Sequence, residues 1–197
     1  GYDVCACCAP HVKRTGEIGI IRLIDAIKYK GGTRVTMVCG FRALKDYRMK
    51  ESNIREISRM LSAKPEESAQ AVKRLQDEAK SWREKLIQTQ SRAMEQILEN
   101  LPEHVENYLV FKKDVDKNVA RRFVDEGKSK CQGICGIFLG NDEDGYRYIL
   151  GSESVDLKAF SKTFHETLGG KGGGKGEMVQ GTVNASEETI RNYIEKK

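Results

Sequence analysis

The stretch GGKGGGKGEMVQG, residues 169–181, decides how the last part of this 197-residue chain is interpreted. Six of its first eight residues are glycines, and the other two are Lys171 and Lys175. Glycine has no Cβ, so backbone N–H groups can approach and surround an anion here, while the lysines add positive charge. The same composition is typical of a flexible linker, so composition alone leaves both interpretations open.

The neighbouring segments favour a loop inside a domain over a linker. Apolar residues spaced three and four apart predict a helix at 155–168, and a strand is predicted at 178–183. Ser186 is expected to cap a last helix, because a Ser hydroxyl accepts hydrogen bonds from the free N–H groups of a first turn. About twenty residues follow the glycines, which is too few for a separate domain.

Further upstream, residues 104–154 alternate between strand and helix patterns. Strands are predicted at 105–111, 134–139 and 146–150, and a helix is predicted at 114–128. Strands that alternate with helices predict an α/β domain with a mixed sheet. This is the fold class that we expect for the C-terminal domain.

Residues 41–100 contain one proline and no glycine, which favours long helices. Pro65 is expected to separate two of them, because a proline disfavours a helical residue before it and suits a first helical turn. In the second helix the apolar residues follow the 3, 4, 3, 4 spacing of a coiled coil: Val72, Leu75, Ala79, Trp82 and Leu86. The spacing predicts a helical hairpin or coiled-coil linker, and it fits packing within the chain and a dimer contact equally well.

The N-terminal residues combine a hairpin pattern with a cysteine-rich run. Strand-like runs at 18–30 and 33–39 are separated by Gly31-Gly32, which predicts a β-hairpin. The run before them is CACCAPH, residues 5–11, in which Cys7 and His11 have the spacing to hold one ion from a turn. Thiolate and imidazole are ligands that zinc favours, although free cysteines also serve as small buried apolar residues.

Composition adds weaker constraints. The net charge of +5 is compatible with a nucleic-acid partner. No apolar run approaches the ~20 residues that span a bilayer, so no membrane partner is expected. No secretory leader is recognisable, and adjacent cysteines are poor disulfide partners, so we expect a cytoplasmic protein with reduced thiols.

Residues 5–44 resemble the end of the editing domain of alanyl-tRNA synthetases and of the freestanding AlaX editing proteins. The matching features are Cys7 with His11, then TGEIG at 15–19, and GTRV at 32–35 followed by Gly40. The resemblance implies hydrolysis of mischarged tRNA(Ala) carrying serine or glycine, with zinc bound by Cys7 and His11. In this family two further zinc ligands come from an upstream His-x3-His, which this sequence lacks. We therefore expect an incomplete zinc site, a longer parent protein, and no deacylation by these residues alone.

The glycine-rich stretch resembles the signature of the DHH-associated domain, a resemblance that covers residues 104–197. It implies that the segment contacts tRNA through these residues: Gly170, Lys171, Gly172, Gly173, Gly174, Lys175 and Gly176. Glu177 stands where phosphoesterase relatives have a histidine. The resemblance therefore favours RNA binding over phosphodiester cleavage.

The sequence thus predicts a truncated zinc editing domain at 1–50, a helical linker at 51–103, and a nucleic-acid-binding domain at 104–197. The function expected first is part of a freestanding aminoacyl-tRNA hydrolase, in which this chain mainly supplies tRNA binding. The alternatives are the same part of an alanyl-tRNA synthetase and a non-catalytic tRNA-binding or dimerising module. A homodimer is expected through residues 51–103 or through the C-terminal domain.

Overall fold

The computed structural model describes residues 10–102 and 105–196. The chain divides into two compact units, of which the first ends at Glu78 and the second begins at Ala79. This division does not test the domain boundaries that the sequence predicts at residues 50 and 103, and they stay predictions. The elements follow one another as β1 (Ile21–Tyr29), β2 (Gly32–Cys39), α1 (Gly40–Met60), α2 (Ser68–Glu99), β3 (Tyr108–Lys112), α3 (Lys117–Gly127), β4 (Cys135–Asn141), β5 (Gly145–Gly151), α4 (Leu157–Leu168), β6 (Lys171–Lys175), β7 (Met178–Val183) and α5 (Glu187–Glu195).

In the first unit, the predicted hairpin is present as the antiparallel pair β1–β2. Its turn lies one residue earlier than the Gly-Gly pair suggested, because Gly32 already pairs with Tyr29. Lys30 and Gly31 form the turn with φ angles of 42° and 80°. Positive φ at both central residues gives the turn a twist that matches the flanking strands.

The break between the two long helices lies at Pro65, as predicted. Pro65 begins a short 3₁₀ turn that ends at Glu67, and α2 starts at the next residue. The hydroxyls of Ser58 on α1 and Ser68 on α2 lie 3.0 Å apart in a buried contact. The two helices therefore meet at their adjoining ends.

The second unit contains a five-stranded mixed sheet in the order β3-β4-β5-β7-β6. Strands β3 and β4 are parallel and are connected through α3, as a parallel pair requires a crossover. The other three pairings are antiparallel. The structure thus confirms the α/β class with a mixed sheet.

Alternating side chains of the strands supply an apolar core on each face of the sheet. One face carries Phe138, Tyr148 and Leu150 and is packed against apolar residues of α4 and α5. The other face carries Ile137, Leu139 and Ile149 and is packed against α3 and the last turns of α2. The two cores fix which side of the sheet each helix covers.

Three helices of the second unit begin at side-chain caps. The carboxylates of Asp116 and Asp156 accept backbone N–H groups of α3 and α4. Ser186 accepts the N–H of Thr189 at the start of α5, as the sequence predicted. Across the described residues, no helix has both the length and the apolar character that crossing a membrane requires.

One polar contact links the sheet to α4. The hydroxyl of Tyr148 and the Nε2 of His165 form a hydrogen bond at the edge of the core. Burial raises the pKa of Tyr148 to about 12 and lowers the pKa of His165, so both groups are neutral near neutral pH. The folded protein therefore disfavours a protonated imidazole at this position.

The lowered pKa of His165 predicts a loss of stability in mild acid. An unfolded histidine titrates at about 6.5 and binds a proton more readily than the folded one. The free energy of unfolding should therefore fall as pH drops below about 6.5, and it should stop falling once the folded imidazole also titrates. Melting temperatures measured across this range should show a shallower pH dependence in His165→Gln than in the wild-type chain. Identical slopes in the two proteins would contradict the assignment.

Candidate nucleic-acid interface

The glycine-rich segment, predicted as a loop, is a β-strand. Residues Lys171–Lys175 form β6, an exposed edge strand that pairs antiparallel with β7. The pattern hid this because glycine is a poor strand former with no side chain to show alternation. Gly170 precedes the strand, and Gly176 forms the turn to β7 with a φ of 70°. The expected set of contact residues is thus held in one hairpin.

The odd-numbered residues of β6 share one face of the sheet. Successive residues of a strand alternate between faces, so Lys171, Gly173 and Lys175 lie together. They are in register with three residues of β7: Thr182, Gln180 and Met178. In the next pairing, Thr182 is in register with Arg147 on β5. The register therefore places three cationic residues on one face of the sheet.

The even-numbered glycines allow the two strands to approach closely. A Cβ built on Gly172 would lie 2.5 Å from the Cα of Gly181, and one built on Gly174 would lie 2.6 Å from the Cα of Val179. Real Cβ atoms do not make contacts of this length, so only glycine fits there without movement of the backbone. A Cβ at Gly173 would have no heavy atom of the described residues within 4 Å. Gly173 is thus open to an approaching ligand.

A groove runs over the face that carries the lysines. One part, of about 150 Å³, is lined by Arg121 of α3 together with Gly173, Lys175 and Gln180. A neighbouring part, of about 510 Å³, shares Gln180. That larger part is lined by Asp114, Val115, Asp116, Lys117, Leu139, Arg147, Tyr148, Ile149, Gln180, Gly181 and Thr182. The lining combines apolar residues with side-chain donors, as ligand sites commonly do.

Most of the charged residues in this groove are cationic, and their side chains are available to a ligand. Within the described part of the chain, the cations at and beside the groove form no ion pair: Arg121, Arg147, Lys171 and Lys175. Two carboxylates, those of Asp114 and Asp116, also line the groove, and that of Asp116 is engaged as the cap of α3. Free cationic side chains beside amide and hydroxyl groups suit a phosphate backbone.

The turn between β6 and β7 is held by an ion pair. Lys128, which follows α3, lies 2.8 Å from Glu177 and 3.1 Å from Asp125. Hydrogen bonds to Glu177 and then to Asp125 raise the pKa of Lys128. Glu177 therefore connects the turn of the hairpin to the end of α3.

Of the two zinc residues expected from the sequence, the structure describes only His11. Cys7 lies outside the described residues, and His11 is exposed in an irregular segment. Between residues 10 and 102 and between 105 and 196, no three His, Cys, Asp or Glu side chains form a cluster that could hold a metal ion. The fit of a zinc ion to Cys7 and His11 thus stays a prediction.

Sequence reasoning misses three groove residues, because no motif points to Arg147, Gln180 or Thr182. It leaves Arg121 open between an RNA surface and a solvated helix face. The signal for the other three is the strand register, which is not visible before the pairing of β5, β7 and β6 is known. The groove is therefore a property of the fold and not of one motif.

Comparison with known families assigns the two ends of the chain to two different domain families. Residues 1–57 match the family described as the threonyl and alanyl tRNA synthetase second additional domain. Residues 105–196, which contain the groove, match the DHHA1 domain family. These matches define a chain that combines part of a tRNA synthetase second additional domain with a DHHA1 domain.

Named relatives identify the family more closely. An alanine–tRNA ligase from Magnetococcus marinus is 32% identical over 190 residues, which are 89% of this chain and 21% of that ligase. A second, from Sulfurisphaera tokodaii, is 30% identical over 98% of the chain and 22% of the ligase. A third, from Nitrosospira multiformis, is 26% identical over 96% of the chain and 24% of the ligase. The chain belongs to the alanyl-tRNA synthetase family, and it spans roughly a fifth to a quarter of the length of these relatives.

The close approach of β6 and β7 predicts different responses to the same substitution. Gly172→Ala should destabilise the domain by about 1–3 kcal/mol, because its Cβ would collide with the backbone of β7. Gly173→Ala is the matched control and should cost far less, because its Cβ would enter open space. Urea unfolding of the two variants measures the difference, and equal destabilisation would contradict the proposed packing.

Proposed function

We propose that this chain supplies the tRNA-binding surface and part of the editing domain of an alanyl-tRNA synthetase. The observation that carries the binding role is the groove beside β6, where Lys171, Lys175 and Arg147 share one face of the sheet. Phosphates bind through lysine and arginine side chains, which this face offers, and through backbone N–H groups, which the edge strand β6 leaves unpaired. The proposed partner is tRNA, specifically tRNA(Ala).

The editing role is supported by the match of residues 1–57 to the second additional domain. Editing answers a physical limit of recognition. A pocket built for alanine excludes the smaller glycine poorly, and it rejects serine poorly because serine merely adds a hydroxyl. A second site that hydrolyses the wrong ester corrects the error. Deacylation of tRNA(Ala) carrying serine or glycine is the reaction proposed for the parent protein.

Of the two parent proteins considered from the sequence, the relatives favour the synthetase. The three relatives named above are ligases, whereas the first expectation was a freestanding AlaX-type hydrolase. The zinc ion bound by Cys7 and His11 belongs to this proposal and is supported by their Cys-x3-His spacing. The cytoplasm is the proposed site of action, and a homodimer is part of the same proposal.

The binding role predicts a defined weakening on removal of the two strand lysines. The double variant Lys171→Ala/Lys175→Ala should bind tRNA more weakly, because fewer phosphates are neutralised. The slope of log affinity against log salt should become shallower by about 1 for each phosphate that no longer has a cationic partner. Fluorescence anisotropy with labelled tRNA at several salt concentrations measures both quantities.

Two exposed lysines of α4 provide the control, since α4 packs on the opposite face of the sheet. Lys158→Ala/Lys162→Ala removes the same charge and should leave affinity and slope close to wild type. Equal weakening in both double variants would show that the loss of affinity comes from the lower net charge and not from the groove. Unchanged binding in the strand variant would refute the assignment of the groove.

A further inference from the structure

The sheet face that carries the groove is covered by helices over one half and open over the other. Leu139 of β4 and Ile149 of β5 are buried in the core that this face shares with α3. Gln180 and Thr182, on the same face of β7, are exposed, and so is every residue of β6. The larger part of the groove therefore lies along the step at which the helical cover ends.

The larger part has an apolar lining on its covered side. Val115, which comes just before α3, lines it together with Leu139 and Ile149. All three belong to the core on this face, and their exposed fractions lie between 6% and 7%. They are thus at the surface of the core, where a flat apolar group of a ligand can pack against them. The cavity of about 510 Å³ lies within the range of about 300–1,000 Å³ that is common for small-molecule sites.

The strand register orders the groups across this face. Ile149 is in register with Gln180, and Gln180 is in register with Gly173. This row crosses two strand spacings, about 10 Å in all, and leads from an apolar residue through an amide to an open glycine. One nucleotide spans a similar distance from its base to its phosphate. The amide of Gln180 both donates and accepts hydrogen bonds, as the edge of a nucleobase does.

The glycine end of this row suits an anion. Arg121 and Lys175 line the smaller part of the groove beside Gly173, and no carboxylate of the described residues lines that part. The larger part is balanced in charge, because two cations and two carboxylates line it: Lys117, Arg147, Asp114 and Asp116. A ligand with one anionic group is therefore directed with that group toward Arg121 and Lys175.

We propose that this groove binds one nucleoside 5′-phosphate, with its base against the apolar lining of the larger part and its phosphate between Arg121 and Lys175. Free mononucleotides and unstacked nucleotides of an RNA share this chemistry. The site goes beyond the phosphate contacts proposed above, because it adds a pocket for the base. Only the RNA source of the nucleotide rests on the proposed function.

The assignment depends on both parts of the groove. Inorganic phosphate uses only the cationic part and leaves the apolar lining in contact with water. An uncharged apolar ligand fills the larger part and leaves Arg121 and Lys175 without an anionic partner. Sites for unstacked bases combine apolar packing with hydrogen bonds to the edge of the base, and Ile149 and Gln180 offer this combination here.

Methyl NMR spectra of the 197-residue chain test the position of the base. AMP, GMP, CMP and UMP are added one at a time, and ribose 5-phosphate is the control that carries the phosphate but no base. At least one mononucleotide should shift the methyl signals of Val115, Leu139 and Ile149, because an aromatic ring changes the local magnetic field. Ribose 5-phosphate should leave these signals unchanged. Signals that respond to none of the four mononucleotides, or equally to the control, would overturn the proposal.

A matched pair of substitutions tests the row between the two parts. Gln180→Glu keeps the size of the side chain but places a negative charge beside the phosphate, so mononucleotide binding should weaken by about tenfold or more. Asn192→Asp adds the same charge at an exposed position of α5, which packs on the opposite face of the sheet, and should bind like wild type. Melting temperatures close to wild type would confirm that both variants fold. Equal affinity of Gln180→Glu and wild type in the methyl titration would overturn the proposal.

Addition of tRNA to the same chain identifies the source of the nucleotide. Methyl shifts with tRNA as well as with a mononucleotide would assign the pocket to an unstacked nucleotide of RNA, whereas shifts with mononucleotides alone would assign it to a free nucleotide. Unshifted methyl signals in a chain whose tRNA binding depends on Lys171 and Lys175 would overturn the base pocket and uphold the proposed function. Mononucleotide shifts in a chain that does not bind tRNA would uphold the pocket and overturn the proposed function.

Discussion

The close approach of two backbones in the β6–β7 hairpin is the constraint on which the candidate site depends. Gly172, Gly174 and Gly181 fill a space in which any Cβ would meet the neighbouring strand. Because side chains alternate along a strand, Lys171 and Lys175 lie on the face of the sheet opposite to the even-numbered glycines. The lysines can act together only because the glycines between them allow a regular strand. The Lys128–Glu177 ion pair ties the turn of this hairpin to the end of α3, which carries another wall of the groove.

Much of the fold could be predicted because local chemistry and tertiary packing agree. Pro65 separates two helices, Ser186 caps the last one, and the 3–4 spacing of Phe160 and Phe164 marks the buried face of α4. The glycine strand could not be predicted in this way. Its residues carry no periodic signal, and its conformation is imposed by hydrogen bonds to β7. Predicting it would require knowledge of the partner strand, which is tertiary information.

The candidate site shows the same limit. The lysines of the glycine segment could be predicted from composition and resemblance, whereas Arg121, Arg147, Gln180 and Thr182 become neighbours through strand order and helix packing. The predicted zinc ligands pose a different problem. The spacing of Cys7 and His11 identifies them as candidates, but it does not identify the other ligands of a closed site. The coiled-coil spacing on α2 lies between these cases. Its period is visible in the sequence, but the exposure of Leu75, Trp82 and Leu86 required the structure.

Strand β6 stands at the open edge of the sheet, where unpaired N–H and C=O groups invite another strand to add on. The three central residues of β6 are glycines, so no bulky side chain there prevents such growth. The lysine at each end supplies the protection, because an incoming copy of the same edge would bring its own two positive charges into contact with them. A polyanion meets no such repulsion. The two lysines therefore disfavour pairing between two copies of this edge, while they leave the edge open to the proposed tRNA partner.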